Sequence, residues 1–489
     1  MGAPRSLASW TDATRVEFFD LDARTDFLRL SSLYEGIEPG LFHALIGRAR
    51  DAGARTVVSE HRYVDADYRS EHSAFYSTTY RRYPSIAHRL HFFSDERTEA
   101  DHPSDEPSQF PPDTYLGYSV MRPVPAAPVG RTLIVPPDEL KPHVSYTAFD
   151  KVNLFGSELE VNAAPYMSQD AQLGVCVHVT AWVIAYYHHQ ALGGPRRLPS
   201  EISGFVPLHN SRRVPVPSEG LTIAQLAAIL DAVDLPPIVY SATALDEDDE
   251  DIFTICCRYL NSGLPVIVAG GNHAWVLVGY RRIATLDGDR IEFIRQNDQA
   301  APYEVVADPQ ADQPRYRPWD YLVVPLPKKL YVSGERAERA GLAKLRETLG
   351  QSGHSHDRAD LERLNQGQLK VRSTALLSND FKSATTRPGR PMSPALAAAY
   401  QWMPMPRWVW AVELVEVSAL DSGQPCVVGE VLIDATDHTA DLRPVAWRIG
   451  PTLRTWDTDL AKAGQIITGE SDRLQPLARL DTKICNANP

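Results

Sequence analysis

Chemistry and fold meet in Ala164-Pro165-Tyr166-Met167-Ser168-Gln169, followed after six residues by Cys176-Val177-His178-Val179-Thr180-Ala181-Trp182. From 172 to 190 the apolar positions Val179, Trp182, Val183, Tyr186 and Tyr187 recur on one helical face, so the sequence predicts a long buried helix that Cys176 opens. Gly193-Gly194-Pro195 ends it. A thiolate is the nucleophile in thiol catalysis, and a helix N-terminus favours it by placing partial positive charge beside the sulfur. Gln169, just upstream, can swing its amide over the same spot. With the backbone N–H of Cys176 it would make a two-donor oxyanion hole.

A thiol nucleophile needs a base. His178 is nearest in sequence, but on a helix two residues on points to another face. His188 and His189 lie about three turns away, roughly 18 Å along the axis. His273 is better placed, in Gly270-Gly271-Asn272-His273-Ala274-Trp275-Val276-Leu277-Val278-Gly279-Tyr280, where it starts an apolar strand after two glycines. The base in turn needs an orienter on its far ring nitrogen. Gln296-Asn297-Asp298 comes after the next strand, and a strand, a turn and a return strand would bring that end back beside His273. Asp298 is the first choice and Asn297 the alternative, since either accepts from an imidazole N–H.

These residues resemble the papain-like cysteine peptidase superfamily, and are most similar to bacterial peptidase domains related to the double-glycine leader peptidases. The resemblance covers about residues 160–305. It rests on Pro165-Tyr166-Met167-Ser168-Gln169, Cys176, Gly263-Leu264-Pro265-Val266-Ile267-Val268, the strand from His273 to Tyr280, and Asn297-Asp298. In that family the order is oxyanion Gln, nucleophilic Cys, base His, then Asp in an Asn-Asp-Pro-like turn. The resemblance thus implies those roles for Gln169, Cys176, His273 and Asp298. Two positions depart from it: Cys176-Val177-His178 stands where the family has Cys-Gly-Pro, and Gln299 where it has Pro. The second leaves Asp298 and Asn297 both open.

The 489 residues suit about three domains. The expected fold class is α+β. A papain-like domain over 141–328, with a central N-terminal helix packed on an antiparallel sheet, is flanked by accessory α+β domains over 1–140 and 329–489. Within it, Thr222 with Gln225 reads as a capping box for a helix over 222–233, and 252–260 as another helix. Strands are expected over 264–269, 274–280, 290–295 and 321–325. Further on, 335–349 reads as a helix, 350–356 as a polar loop, and 408–417 with 426–434 as paired strands.

Composition narrows the function. Apolar residues at 43% and charged residues at 23% describe a globular chain. Forty-nine Lys and Arg against 62 Asp and Glu give a net charge of −13, which repels phosphate backbones, so no nucleic-acid partner is expected. No apolar run is long enough to span a bilayer, and no apolar signal core opens the chain, so the expectation is a cytoplasmic protein without stable membrane insertion. The five cysteines, Cys176, Cys256, Cys257, Cys426 and Cys485, form no Cys-x-x-Cys pair and read as free thiols. His354-Ser355-His356-Asp357 is a weak metal motif, and neither metal nor organic cofactor is expected. His61, His72, His88 and His91, set among Tyr and Arg, fit either a ligand surface or a wet charged face. The expected activity is hydrolysis of a peptide or isopeptide bond in a protein or peptide substrate. The alternatives are acyl transfer to an amine, deamidation, or a papain-like binding module with a dead site.

Overall fold

The computed structural model describes residues 16–34, 39–98, 110–169, 176–205, 222–242, 252–271, 273–285, 288–306, 319–351, 355–385, 392–416, 418, 426–439, 442–450, 452–457 and 462–467. The class is α+β, and every pairing between the named strands is antiparallel. The chain forms two compact units, one of residues 1–243 and 265–325, the other of 244–264 and 326–489.

The first unit opens with a meander of β1 (Val16–Asp20), β2 (Thr56–Tyr63), β3 (Ala87–Phe93), β4 (Tyr115–Met121) and β5 (Val129–Ile134). Helices α1 (Arg24–Leu33) and α2 (Pro39–Asp51) separate its first two strands, and α3 (Ala66–Ala74) the next two. Asp65 starts α3 by accepting the Tyr68 N–H at 2.9 Å, an N-cap bond that a short helix needs. The hairpin of β6 (Ala148–Leu154) and β7 (Ser157–Ala163) turns at Phe155 and Gly156, both with positive φ, as a two-residue turn between twisted strands requires.

Next come α4 (Cys176–Leu192), α5 (Pro199–Gly204) and α6 (Ile223–Ala232). Thr222 accepts the Gln225 N–H at 3.2 Å while the Gln225 side chain accepts the Thr222 N–H at 2.8 Å, so the expected capping box is present. The second sheet runs in the order β12 (Glu304–Val306), β11 (Gly288–Gln296), β10 (His273–Thr285), β9 (Val266–Gly270), β13 (Tyr321–Pro325), β8 (Pro237–Ser241). Helix α4 packs on β10. Its buried residues run unbroken from Thr180 to Tyr187, so the helix is enclosed on nearly every side. Trp182 donates to Asp67 at 3.2 Å, and Asp67 is held in turn by Arg196 at 2.6 Å.

One hydrophobic core joins both sheets of this unit. It runs from Phe18 and Tyr118 through Val152 and Leu159 to Trp182, Val276 and Val323. The expected boundary near residue 140 therefore has no counterpart, because the residues on either side of it bury the same apolar surface. His61, His88 and His91 are buried in β2 and β3, which corrects the expectation of a wet or ligand-facing surface for these three. His72 is part-buried, with Nε2 3.0 Å from the Tyr83 carbonyl oxygen.

The second unit is a six-stranded meander: β14 (Leu369–Leu377), β15 (Trp408–Glu416), β16 (Val427–Asp434), β17 (Pro444–Ile449), β18 (Thr452–Asp457) and β19 (Lys462–Ile467). It carries α7 (Ile252–Asn261), α8 (Gly334–Gln351), α9 (Ser355–Asn365), α10 (Ser378–Ala384) and α11 (Pro394–Trp402). Helix α7 was expected inside the middle domain. Instead Arg258 pairs with Glu338 of α8 at 3.0 Å, Tyr259 packs edge-on against Trp410 of β15, and Ser262 accepts the Ala375 N–H of β14 at 2.9 Å. The expected polar loop over 350–356 gives way to α9 from residue 355, whereas His354 and the His356 side chain lie outside the described residues. Cys485, the acidic run 246–251 and the turn 421–425 also lie outside them. Among the described residues no helix is long and apolar enough to cross a membrane.

Candidate active site

Two pinned segments converge in the first unit. Residues 164–169 continue β7 along the edge of β5: Tyr166 exchanges backbone hydrogen bonds with Thr132 at 3.0 and 2.9 Å, and Ser168 donates its N–H to the Val129 carbonyl at 2.9 Å. Buried Arg122, paired with Glu71 at 2.9 Å, donates to the Ser168 carbonyl at 2.8 Å. The loop after β11 holds the other side of this segment. Tyr166 donates its hydroxyl to the Ala300 carbonyl at 2.6 Å, Gln296 donates to the Ala164 carbonyl at 3.1 Å, and the Gln169 N–H meets the Asp298 carbonyl at 3.4 Å. Gln169 is therefore delivered to the Asn297–Asp298 turn by bonds on both flanks.

Cys176 is the first residue of α4 and is buried. Its sulfur accepts the backbone N–H groups of Ala274, Val177 and Cys176 itself. The Ala274 contact places it beside the start of β10, whose first residue is His273. These N–H groups favour the thiolate, as the sequence argument requires. Burial outweighs them, and with the charge of nearby Asp298 it pushes the thiol up to about 12. The expected lowering by the helix N-terminus is thus present but overcome.

His273 pairs with Gly270 across a tight β9–β10 connection containing Gly271, whose positive φ suits glycine. Its Nε2 lies 2.9 Å from Asn297 Oδ1 and 3.6 Å from Asp298 Oδ1. The hydrogen bond goes to Asn297, the second of the two candidate orienters. Asn297 has no freedom to turn its amide round, because its Nδ2 donates to Glu304 Oε2 at 3.0 Å and a carboxylate only accepts. Oδ1 must then face His273 and also accepts the Gln299 N–H at 3.2 Å. It follows that His273 donates through Nε2, and in the neutral ring the acceptor lone pair is then on Nδ1. Burial lowers the His273 pKa, against the opposing pull of the Asn297 bond, so the resting pair is neutral thiol and neutral imidazole.

Glu304 is the participant that sequence reasoning missed. On β12 it sits opposite Arg295 of β11, which donates to it at 2.8 Å and stacks over the Trp275 ring at 4.9 Å from the centroid. A signal existed in these opposite charges on two short facing strands.

Asp298 stands apart from this relay. Asp298 is 5% exposed, its carboxyl takes no hydrogen bond from another described residue, and burial pushes it up to about 7 against the opposing pull of its own backbone N–H. The Gln169 Oε1 is likewise buried without a donor. Both residues, with Gln299, line a cavity of about 380 Å³ closed on another side by Gly40, Leu41 and Ala44 at the start of α2.

The other histidines are placed elsewhere. His178 is pushed down to about 4 by burial, and His189 bonds the Gly194 carbonyl at 2.7 Å at the far end of α4. Among the described residues no three His, Cys, Asp or Glu side chains gather as a metal site. Comparison with protein-family models and with curated proteins finds no match to this chain.

Proposed function

We propose that this chain is a papain-like cysteine hydrolase that cleaves a peptide or isopeptide bond through Cys176 and His273. The observation that carries the reading is the ordered sequence of hydrogen bonds from Glu304 through Asn297 to His273 Nε2, beside a helix-opening thiol that takes the Ala274 N–H. With Nε2 committed to Asn297, Nδ1 is the ring nitrogen that this reading assigns as general base for the neighbouring thiol. The order Gln169, Cys176, His273, Asn297 and a buried helix packed on an antiparallel sheet further support the papain-like reading.

In this mechanism His273 Nδ1 takes the thiol proton as the Cys176 sulfur bonds to the substrate carbonyl carbon. The oxyanion is held by Gln169 Nε2 and the Cys176 N–H. Collapse breaks the C–N bond, and His273 passes its proton to the leaving amine. Water then adds to the thioester carbonyl carbon, giving one proton to His273, and collapse breaks the C–S bond to release the acid and the Cys176 thiolate. The imidazolium returns that proton to sulfur. Asn297 holds the ring through both half-reactions.

The test is to incubate the full chain and Cys176→Ala with a mixed peptide library in heavy-oxygen water and sequence the products by mass spectrometry. New carboxyl termini carrying the heavy oxygen, absent with Cys176→Ala, are expected. Identical profiles from the two chains would sink the reading. Acyl groups joined to amines without label, or Gln converted to Glu, would redirect the same thioester chemistry. The raised Cys176 thiol favours one rival, a papain-like binding module that is catalytically silent. A peptide aldehyde separates them, since a thiol served by a base and an oxyanion hole holds the hemithioacetal far more tightly than a simple thiol does, and His273→Ala should remove that advantage.

A further inference from the structure

We propose that the groove between α11 and the β17–β18 pair of the second unit binds an extended, proline-rich peptide segment that carries basic residues and belongs to a partner protein. The proposal stands apart from the hydrolase reading, since none of its residues belongs to the candidate active site.

The groove has a volume of about 1010 Å³, at the upper end of the range that encloses a drug-sized ligand. One wall is α11. Leu396 and Tyr400 are buried in the core, while Ala395, Ala398, Ala399 and Trp402, three and four residues apart, line the opening. Trp402 is 87% exposed, whereas Trp408 and Trp410 of β15 are buried. The other wall is Val445 of β17 with Thr455 and Trp456 of β18. Two indoles over a floor of small and apolar side chains make a surface that a partner would take out of water.

The hydrogen-bonding groups select an extended, proline-rich occupant. Neither indole N–H, of Trp402 or of Trp456, meets an acceptor among the described residues, and Arg443 forms no ion pair among them. Its guanidinium lies over the Trp456 ring, 5.5 Å from the centroid. The groove thus offers side-chain donors. A proline-rich segment in polyproline II conformation has no internal hydrogen bonds and lacks the N–H of every proline, so it brings carbonyl acceptors in excess of donors. A helical ligand has already spent its carbonyls on its own N–H groups. Pro404, Pro406 and Pro444 in the walls offer no N–H for the addition of a strand.

The charges select basic residues. Asp434 Oδ1 accepts the Thr436 N–H at 2.8 Å and its hydroxyl at 2.7 Å, and Asp437 accepts the Thr439 N–H and hydroxyl, each at 2.8 Å. Those bonds fix the direction of both carboxylates, and neither has an ion-pair partner among the described residues. Two carboxylates against one guanidinium leave the groove negative, on a chain whose net charge is −13.

The test is fluorescence anisotropy on the full chain with fluorescein-labelled peptides PPLPPLPPRR, PPLPPLPPEE and the helix-forming AALAALAARR, and with an array of permuted orders of the first. The basic proline-rich peptide or one of its permutations should bind about tenfold more tightly than the other two. Trp402→Ala, at a site open to water, should weaken it about tenfold with circular dichroism unchanged. Asp434→Asn combined with Asp437→Asn keeps the acceptors for Thr436 and Thr439 and should bring the basic and acidic peptides to within about twofold of each other. No binding across the array would overturn the proposal. So would equal or tighter binding of the acidic or the helical peptide, or affinity that survives Trp402→Ala. Self-association of the chain in sedimentation, lost with Trp402→Ala, would give the groove to a second copy and overturn it as well.

Discussion

Asn297 and Asp298 are neighbours in sequence that follow β11 and face different surroundings. Asn297→Ala removes the acceptor for His273 Nε2 and the partner of Glu304 together. We expect kcat on a peptide substrate to fall by about a hundredfold with little change in KM, because ring orientation matters most while a proton is in flight. Steady-state kinetics decide it, and an equal loss from Asp298→Ala with none from Asn297→Ala would exchange the two roles. Asp298 makes a different prediction. Its carboxyl is raised to about 7 in the folded chain and lies near 3.9 when unfolded, so the folded state binds the extra proton between those values. The contribution to stability is complete below about pH 4 and is lost as the pH rises through 7. Asp298→Asn cannot ionise. Its stability relative to the unmodified chain should therefore improve from pH 4 to pH 8 by on the order of a few kcal/mol, read by urea unfolding at each pH. A difference that stays flat with pH would mean the carboxyl is not held neutral.

At the scale of elements, β10 does more than carry His273. A bulge between Leu277 and Gly279 lets the chain at 143–145 lie against the strand, where Val144 bridges Gly279 and the Ser145 N–H bonds the Val278 carbonyl at 2.7 Å. A Cβ on Gly279 would sit 2.0 Å from the His143 carbonyl oxygen. Gly279→Ala must push that backbone away, and a loss of about 2–3 kcal/mol in urea unfolding is expected, with slower turnover because the same strand begins at His273. Gly47→Ala in α2, whose Cβ would meet nothing within 4 Å, is the control. The elements legible in the sequence were those whose local signals agree with their burial: α6 with its capping box, α4 with its apolar face, and the apolar run opening β10. The same strand continues to Thr285 through pairs such as Arg281 with Glu292 at 2.8 Å, where polar cross-strand contacts replace the apolar pattern. β2 and β3 were hidden for a related reason. Their buried side chains include His88, Arg89 and His91, which meet Tyr34, Glu60 and Tyr115 rather than apolar neighbours, and His61, whose ring lies 4.3 Å from that of His88. In the candidate site, residue type and order singled out Gln169, Cys176 and His273. The orienter stayed open between Asn297 and Asp298, since adjacent residues differ only in which way the chain turns at a strand end. Glu304, which decides it, is distant in pattern and near only in space.

At the scale of the whole molecule, the division into units does not follow the order of the chain. Residues 244–264 leave the first unit after β8, place α7 in the second, and return to form β9. Cys256, Tyr259 and Leu260 of α7 are buried there, and Arg258 is 5% exposed beside Glu338. Residues 326–489 made alone lack this helix. We expect them to bind a hydrophobic dye and to show a broad thermal transition, and a peptide of residues 252–264 added in trans to sharpen it, followed by circular dichroism. A cooperative transition without the peptide would show that the second unit is complete from residue 326. The excursion of α7 also bears on how such a chain can be inherited. The second unit is encoded in two pieces interrupted by β9 to β13 of the first, so no single break in the coding sequence separates one unit from the other. Recombination that trades whole modules end to end would leave either product without a helix or with a surplus one, and the two units are bound to descend together.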